Sequence, residues 1–187
     1  MRQLRYAMNV SLDGYVATPD GDLGWASVDD ELFRWWSDRV AGTGTTLYGR
    51  RLWEAMAGHW PTADRQPGVT PLHAEYARRW RAVPKVVFST TTAPLDGDAR
   101  LVAGDAVAEM TRLKEEDGGP LDVGGATLAA AAVRAGLVDE YVLVTHPVLL
   151  GGGTPFFPAP GVRADLDLVE TRPFPGRVLL TRYATRR

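Results

Sequence analysis

Short apolar strands alternate with helical segments along most of the chain, and this order limits the possible fold more than any other feature of the sequence. Parallel neighbouring strands need a crossover connection of a dozen or more residues, which a helix usually supplies. Only the last two predicted strands, residues 165–171 and 177–183, are joined closely enough to pair antiparallel. The pattern therefore predicts an α/β fold with a mostly parallel central sheet, helices on both faces and a C-terminal antiparallel hairpin.

Apolar, β-branched runs mark the strands, and apolar residues at helical spacing mark the helices. The predicted strands are residues 4–10, 45–48, 85–89, 100–102, 121–123, 139–145, 165–171 and 177–183. The predicted helices are residues 29–40, 50–57, 71–80, 105–116 and 126–135. Two long loops remain: residues 11–25, with room for a short hairpin, and residues 146–160, with three consecutive glycines.

Composition excludes several classes of function. The 187 residues carry 21 basic and 23 acidic side chains, and a net charge of −2 gives no reason to expect a nucleic acid or an anionic membrane as partner. The absence of cysteine excludes thiol catalysis and thiolate metal sites, and the three histidines lack ligand-like spacing. No segment resembles a signal peptide or a membrane span. We therefore expect one cytoplasmic domain, residues 1–187, without a bound metal.

A glycine pair joins one predicted strand directly to a helix. Residues 123–128 read Val-Gly-Gly-Ala-Thr-Leu, and the predicted helix begins at Ala126, directly after the glycine pair. Glycines at this position let the N–H groups of the helix N-terminus approach a diphosphate closely. An ordinary turn is the alternative, since Gly-Gly is also common there.

Two further polar motifs follow predicted strands. Gly49, Arg50 and Arg51 follow the second strand, and residues 89–91, Ser-Thr-Thr, follow the third. Ligands of open parallel sheets bind at the carboxyl ends of the strands. Arginine beside a helix start, with hydroxyls nearby, suits a phosphate monoester, although each motif alone also fits a solvated turn. The three motifs together indicate a site for a dinucleotide that carries an extra phosphate.

Two segments resemble dihydrofolate reductases. Residues 48–54, Tyr-Gly-Arg-Arg-Leu-Trp-Glu, resemble their Gly-Arg-x-x-Trp-Glu segment. Residues 123–126, Val-Gly-Gly-Ala, are similar to the Gly-Gly turn that dihydrofolate reductases share with riboflavin-type reductases.

Other segments resemble the reductase domain of the bifunctional riboflavin-biosynthesis deaminase-reductases. Residues 11–14, Ser-Leu-Asp-Gly, followed by Gly-Trp at 24–25, resemble the opening of that domain. Residues 136–140 and 147–152 are also similar to it, so the resemblance extends over residues 4–183.

The resemblance implies a dihydrofolate-reductase-like fold, NADPH as hydride donor and a small-molecule substrate. The implied activity is the reduction of a small heterocycle, as in the 5-amino-6-(5-phosphoribosylamino)uracil reductases of riboflavin biosynthesis. Two alternatives stay open: a dihydrofolate or pteridine reductase, and a non-catalytic small-molecule-binding protein that retains the fold.

Positions that match the family imply a cofactor site. Val16 and Ala17 would lie beside the nicotinamide, although ordinary packing explains these two residues equally well. The residues implied for the adenosine phosphates are Gly49, Arg50, Arg51, Ser89, Thr90 and Thr91. The residues implied for the diphosphate are Gly124, Gly125, Ala126 and Thr127.

The chain also departs from the riboflavin reductases. They carry Asp-Asp-Pro on the substrate side after the second strand, where this chain has Trp-Glu-Ala-Met at 53–56. Recognition of a ribosyl-phosphate substrate is therefore in question. The chain has no segment that resembles the deaminase half, whose zinc motif requires cysteine. We expect a free-standing reductase domain.

Candidate catalytic and substrate-binding residues are fewer. Asp30 is the candidate proton donor, because it lies on the helix after Trp25, close to where dihydrofolate reductases place their acid; the alternative is that it favours the helix dipole. Trp25 and Trp53 are candidates for stacking on a heteroaromatic ring, although core packing is the commoner role of tryptophan.

The C-terminal hairpin predicts a homodimer. Leu166, Leu168, Val178 and Leu180 make it apolar on at least one face, and an exposed sheet edge needs protection. The alternative is that the hairpin packs on its own core. The loop of residues 151–157 fits either a pocket border or a dimer contact.

Overall fold

Strands and helices alternate as predicted in a computed structural model, which describes residues 1–157 and 161–186. The strands are β1 (Leu4–Ser11), β2 (Tyr15–Ala17), β3 (Thr45–Gly49), β4 (Lys85–Phe88), β5 (Arg100–Val102), β6 (Leu121–Gly124), β7 (Glu140–His146), β8 (Thr154–Pro155), β9 (Leu166–Phe174) and β10 (Val178–Thr185). The helices are α1 (Asp30–Ala41), α2 (Arg50–Ala57), α3 (Pro71–Ala82), α4 (Ala106–Glu115) and α5 (Ala126–Arg134). The main addition to the predicted elements is β8, inside the predicted loop of residues 146–160, of which residues 158–160 lie outside the described residues.

An eight-stranded sheet forms the centre of the fold, in the order β5-β4-β3-β6-β1-β7-β10-β9. β1 pairs in parallel with both β6 and β7, and the parallel part continues through β3, β4 and β5. β10 pairs antiparallel with β7 and with β9. The predicted α/β fold, with its mostly parallel sheet and C-terminal antiparallel hairpin, is confirmed.

Helices cover both faces of the sheet. Met110 of α4 and Ala129 of α5 are fully buried in the larger core on one face. On the other face, Leu32 of α1 packs against β7 and β10, whereas Trp53 of α2 and Tyr76 of α3 pack against β3 and β4. The face that carries α1, α2 and α3 also holds the cavity described below.

Helix ends follow local sequence signals. The Asp29 carboxylate caps α1, because its Oδ1 accepts hydrogen bonds from the backbone N–H groups of Glu31 and Leu32, both at 2.9 Å. The C-terminal end of α5 is followed by Gly136, which adopts the positive φ of 66° that favours glycine after a helix.

The glycine-rich loop folds back onto the β1–β2 connection of the same chain. The Asp13 carboxylate accepts hydrogen bonds from the backbone N–H groups of Leu150 (3.1 Å) and Gly151 (2.8 Å), and from the Ser11 hydroxyl (2.6 Å). The Ser11 hydrogen bond, together with these N–H groups, lowers the pKa of Asp13. The loop is therefore tied to the turn that precedes β2 by an anionic side chain.

β8 continues this attachment by pairing antiparallel with β2. Gly153 approaches β2 so closely that an added Cβ would lie 1.9 Å from the Ala17 carbonyl oxygen. Phe156 is buried, stacks on Tyr6 at 4.2 Å between ring centroids, and donates its N–H to the Gly14 carbonyl. Phe156 is thus a core residue, whereas Phe157 remains 46% exposed.

Gly153→Ala should detach this loop. The methyl group would collide with a backbone carbonyl at a φ of +123°, so we expect a loss of about 3 kcal/mol or more of stability and faster hydrogen exchange at the Phe156 amide. Gly151→Ala is the matched control, because it also has a positive φ but no atom within 4 Å of the added Cβ; strain alone should cost about 1–2 kcal/mol. Equal melting temperatures for the two variants would contradict this account.

Candidate functional site

The carboxyl ends of five parallel strands meet at one edge of the sheet. Gly49 at the end of β3 pairs with Phe88 at the end of β4, and Tyr48 pairs with Gly124 of β6. Ser11 at the end of β1 pairs with His146 at the end of β7. The residues that follow these ends, including the three predicted phosphate motifs, therefore lie along one edge.

Gly124 and Gly125 connect β6 to α5 as a bare backbone turn. Gly125 is the N-cap of α5, with φ 94°, and makes no side-chain capping bond. A Cβ on Gly124 would lie 3.0 Å from the Tyr48 ring, so glycine is needed there for close packing. Ala126 is buried in the first turn, whereas Thr127 is exposed. The first N–H groups of α5 thus lack a side-chain acceptor, which is the arrangement that binds phosphate at helix N-termini.

Arg50 and Ser89 are brought together across β3 and β4. The Arg50 Nε donates to the Ser89 hydroxyl at 2.8 Å. The same guanidinium donates to the carbonyl oxygens of Ala93 (2.6 Å) and Pro94 (3.4 Å), so it also orders the loop after β4. Gly49, beside it, is the N-cap of α2 and adopts an extended conformation.

The remaining residues of this phosphate motif face solvent. Arg51, Thr90 and Thr91 are exposed, and Arg51 has no ion-pair partner within the described part of the chain. The Thr91 N–H donates to the Ser89 hydroxyl at 3.1 Å, which shapes the loop into a tight polar turn. Within the described residues, the Arg51 guanidinium and the Thr90 hydroxyl are therefore available at this corner, whereas the Thr91 hydroxyl lies 3.3 Å from the Ser89 hydroxyl.

Val16 and Ala17 lie on β2, next to the end of β1. Both are buried, and the Val16 carbonyl accepts a hydrogen bond of 3.1 Å from the indole N–H of Trp25. Ala17 pairs with Thr154 of β8 and Val16 packs in the larger core, but Val16 also lines a cavity of the α1 face.

A cavity of about 500 Å³ opens between the sheet and α1, α2 and α3. It meets the predicted cofactor edge, because Val16 and Gly124 both line it. Six of its 22 lining residues carry aromatic rings: Phe33, Trp36, Tyr48, Trp60, His73 and Tyr76. Volume and lining of this kind are typical of small-molecule sites, in which planar ligands stack on aromatic rings.

Ion pairs close the deep end of the cavity. The Asp122 carboxylate on β6 accepts hydrogen bonds from Arg5 (2.9 Å) and Arg39 (2.8 Å). Arg39 also contacts Glu140 at 3.3 Å, and burial lowers the pKa of the Arg39 guanidinium. Of the arginines and lysines in the described ranges, Arg39 is the one that lines the cavity, and it is already paired. The cavity therefore suits an uncharged ring better than an anionic group.

One buried donor in the cavity wall lacks a partner. Among side chains in residues 1–157 and 161–186, the indole nitrogen of Trp36 is the buried polar atom without a hydrogen-bond acceptor. Leaving such a group unsatisfied costs about 1–3 kcal/mol, and a bound acceptor would remove that cost.

The candidate catalytic and substrate residues lie outside this cavity wall. Asp30 is on the first turn of α1, its side chain is 79% exposed, and its closest charged group is Arg34 at 3.7 Å. Trp25 packs edge-on against His146, with ring centroids 5.4 Å apart. Trp53 is 1% exposed in the core between α2, α3 and the sheet, where its indole N–H donates to the Asp96 carbonyl. Their functional roles stay predictions, and the position of Asp30 favours its role in the helix dipole.

Sequence reasoning missed the rings that do line the cavity. Phe33 and Trp36 are three residues apart on α1, a spacing that marks one helix face but does not separate a cavity wall from a core. Trp60 and Tyr76 come from the α2–α3 connection and from α3, so only the folded chain shows that they meet α1.

Comparison with known proteins agrees with this geometry. The family model of the RibD C-terminal domain matches residues 2–180. The chain belongs to the RibD C-terminal domain family. A Bacillus subtilis protein, the uncharacterised protein YyaP, is 30% identical over 186 residues, which are 97% of this chain and 94% of YyaP.

Solved structures share the fold at low sequence identity. A pyrimidine reductase-like protein from Corynebacterium diphtheriae has a TM-score of 0.70 at 14% identity, over 100% of this chain and 92% of its own. Dihydrofolate reductase from Enterococcus faecalis, solved in complex with NADP(H) and RAB-propyl, has a TM-score of 0.65 at 15% identity, over 99% and 97% of the two chains. This RibD C-terminal family member therefore has the dihydrofolate-reductase-like fold.

Two other kinds of site receive no support from the described residues. No cluster of three or more His, Asp or Glu side chains within them has the arrangement of a metal site. None of their helices combines the length and the apolar character that crossing a membrane requires.

Proposed function

We propose that the chain is an NADPH-dependent reductase of a small, uncharged heterocycle. The observation that carries the proposal is the junction of two features: an aromatic-walled cavity of about 500 Å³ reaches the sheet edge at Val16 and Gly124. At that edge stands the uncapped N-terminus of α5. Membership of the RibD C-terminal family supports the same class of reaction.

The residues at the sheet edge fit a phosphorylated dinucleotide. The turn at Gly124 and Gly125 leaves the N–H groups of α5 open to a diphosphate, and a side chain at Gly125 would stand in the approach. Arg51 and Thr90 supply free donors for the additional phosphate, and Thr91, whose hydroxyl contacts Ser89, lies beside them, while Arg50 holds their loop through Ser89. When bound, NADPH supplies the hydride.

The cavity favours the heterocycle over its phosphorylated forms. Its aromatic wall provides faces for stacking, and its one arginine is already bound to Asp122 and Glu140. A ribosyl phosphate would have to extend out of the cavity to find a cation. We therefore favour a pyrimidine- or pteridine-like ring as the substrate. 5-Amino-6-(5-phosphoribosylamino)uracil is the more specific candidate substrate, to be tested in parallel.

NADPH should bind more tightly than NADH. Loss of the contacts to the extra phosphate should cost roughly 1.5–3 kcal/mol, which is about ten- to a hundredfold in Kd. Fluorescence titration of both cofactors measures it. Arg51→Gln should reduce the preference, whereas Arg134→Gln, an exposed arginine at the far end of α5, should not. Equal affinities in the wild type would contradict the phosphate assignment.

The reductase activity needs its own test, in which a panel of substrates is screened by following the consumption of NADPH.

Gly125→Val should abolish NADPH binding in a protein that still folds. The branched side chain blocks the approach to α5 and is strained at a φ of 94°, at a cost of about 1–2 kcal/mol. Gly136→Val is the matched control, because it places the same side chain at a positive φ, in open space, just beyond the other end of α5. The diphosphate assignment fails if both variants melt alike and both bind NADPH as the wild type does.

We further propose that two chains pair through the C-terminal hairpin. Val178 and Leu180 are buried against α1, so one face of the hairpin packs on its own core. β9 nevertheless forms the sheet edge, and Leu168 (61% exposed), Val169 (49%) and Leu179 (40%) remain open on this hairpin. Pairing by a closed twofold axis would cover these side chains.

Light scattering at micromolar concentration should give about twice the chain mass of 20.4 kDa. Leu168→Asp should shift the mass to that of one chain without lowering the yield of folded protein. Leu12→Asp, at an equally exposed leucine outside the hairpin, should leave the mass unchanged. A wild-type mass near 20.4 kDa would refute the dimer.

A further inference from the structure

Asn9 brings an amide group to the cavity. Side chains alternate along β1, so Arg5, Ala7 and Asn9 point to the α1 side of the sheet while Leu4 and Tyr6 enter the opposite core. Asn9 is half-buried and lines the same cavity as Val16 and Gly124. It is therefore a polar group close to where the aromatic cavity meets the predicted cofactor edge.

His146 contacts this amide. Its Nε2 lies 3.1 Å from the Asn9 Oδ1, and the residue is 3% exposed and packed edge-on by Trp25. An amide oxygen only accepts hydrogen bonds, so in this orientation of Asn9 the His146 Nε2 is the donor. Burial lowers the pKa of His146, which favours the neutral ring.

The other end of the amide is unoccupied by protein groups. Within residues 1–157 and 161–186, the Asn9 Nδ2 has no hydrogen-bond partner, and it is not among the atoms sealed from solvent. Its two N–H groups are thus available to a molecule in the cavity. By contrast, the charged groups at the deep end of the cavity are already paired.

We propose that Asn9 is a specificity-determining residue that donates a hydrogen bond to a carbonyl oxygen of the heterocycle, and that His146 is the positioning residue that holds the amide in its donating orientation. The proposal rests on the proposed function for the identity of the cavity as the substrate site. It adds the chemical character of the substrate at this point, which is a hydrogen-bond acceptor.

Two pteridines test the assignment without turnover. Lumazine (2,4-dioxopteridine) presents carbonyl oxygens where 2,4-diaminopteridine presents amino groups; the two share the pteridine skeleton, with N1 and N3 protonated in lumazine and bare in the diamino ring. We expect the wild-type protein to bind lumazine about tenfold more tightly or better, in the presence and absence of NADPH. The absence of any preference, or no binding of either ring, would overturn the proposal.

Asn9→Asp is the decisive variant, because its carboxylate keeps an acceptor for His146 but removes the donor from the cavity. We expect the lumazine preference to disappear or reverse, with the NADPH affinity and the melting temperature close to those of the wild type. An equal loss of NADPH affinity would assign Asn9 to the cofactor and overturn the proposal.

The positioning role of His146 requires a rescue experiment. His146→Leu should reduce the ratio of the affinities for the two rings about tenfold, because the amide of Asn9 can then rotate. His146→Gln should restore it, because the glutamine Nε2 can donate from nearly the same place. Equal preferences in His146→Leu and the wild type would remove the positioning role. Failure of NADPH to bind at all would refute the proposed function, whereas the ring preference reports on Asn9 separately.

Discussion

Parallel pairing of β1 with β6 on one side and β7 on the other is the constraint on which the arrangement of this protein depends. Tyr6 of β1 is in register with Val123 of β6 and with Tyr141 of β7, so the three strands run in the same direction; β6 ends one residue later, at Gly124, whereas β1 and β7 end together at Ser11 and His146. Each crossover must return to the opposite end of the sheet before the next strand begins, and the connections after the strands therefore gather at one edge. The turn at Gly124 and Gly125, the Arg50–Ser89 pair and the Asn9–His146 pair are all consequences of that shared edge.

The second requirement is that α1 stays above the sheet without filling the space beneath it. Near its start, Leu32 packs against β7 and β10, and near its end Arg39 forms ion pairs with Asp122 and Glu140 of the sheet. Buried ion pairs gain little net stability over apolar packing, but removing one partner leaves an expensive unpaired charge. The Arg39 ion pairs therefore fix the distance between α1 and the sheet more than they add to stability. Between the two attachments, Phe33 and Trp36 form the wall of the cavity.

Most of the secondary structure could be predicted from the sequence because its signals are local. The apolar runs of β1, β4 and β7, the N-cap aspartate of α1 and the glycine after α5 each report on their own segment. β8 could not be predicted, since it consists of two residues in a glycine-rich loop and pairs with β2, more than 130 residues earlier in the chain, where Asp13 also binds the N–H groups of Leu150 and Gly151.

The candidate site divides in the same way. The motifs predicted to bind phosphate follow strand ends, so their place at one edge could be predicted from the order of elements, and the structure brings Arg50 and Ser89 into contact. The cavity wall depends on rings from α1, α3 and the segment between α2 and α3, and no pattern within one segment indicates that Trp60 faces inward while Trp53 is buried in the core. The partnership of Asn9 with His146, 137 residues apart, is likewise a property of strand register.

The two ends of the cavity differ in their chemistry. For the substrate of the proposed function, this difference determines the orientation in the cavity. Its deep end presents Asp122 and Arg39, whose charges neutralise each other and leave no net attraction for a charged group. Its other end meets the cofactor edge and presents the Asn9 amide as an unused donor. A planar ring with one polar edge gains most when its apolar faces lie against Phe33 and Trp36 and its acceptor points to Asn9. That orientation brings the polar, reducible part of the ring towards Val16 and Gly124, where the predicted nicotinamide and diphosphate positions begin. Binding and reactivity are then coupled through strand β1 and its neighbours, because the same register that places the donor also places the cofactor edge.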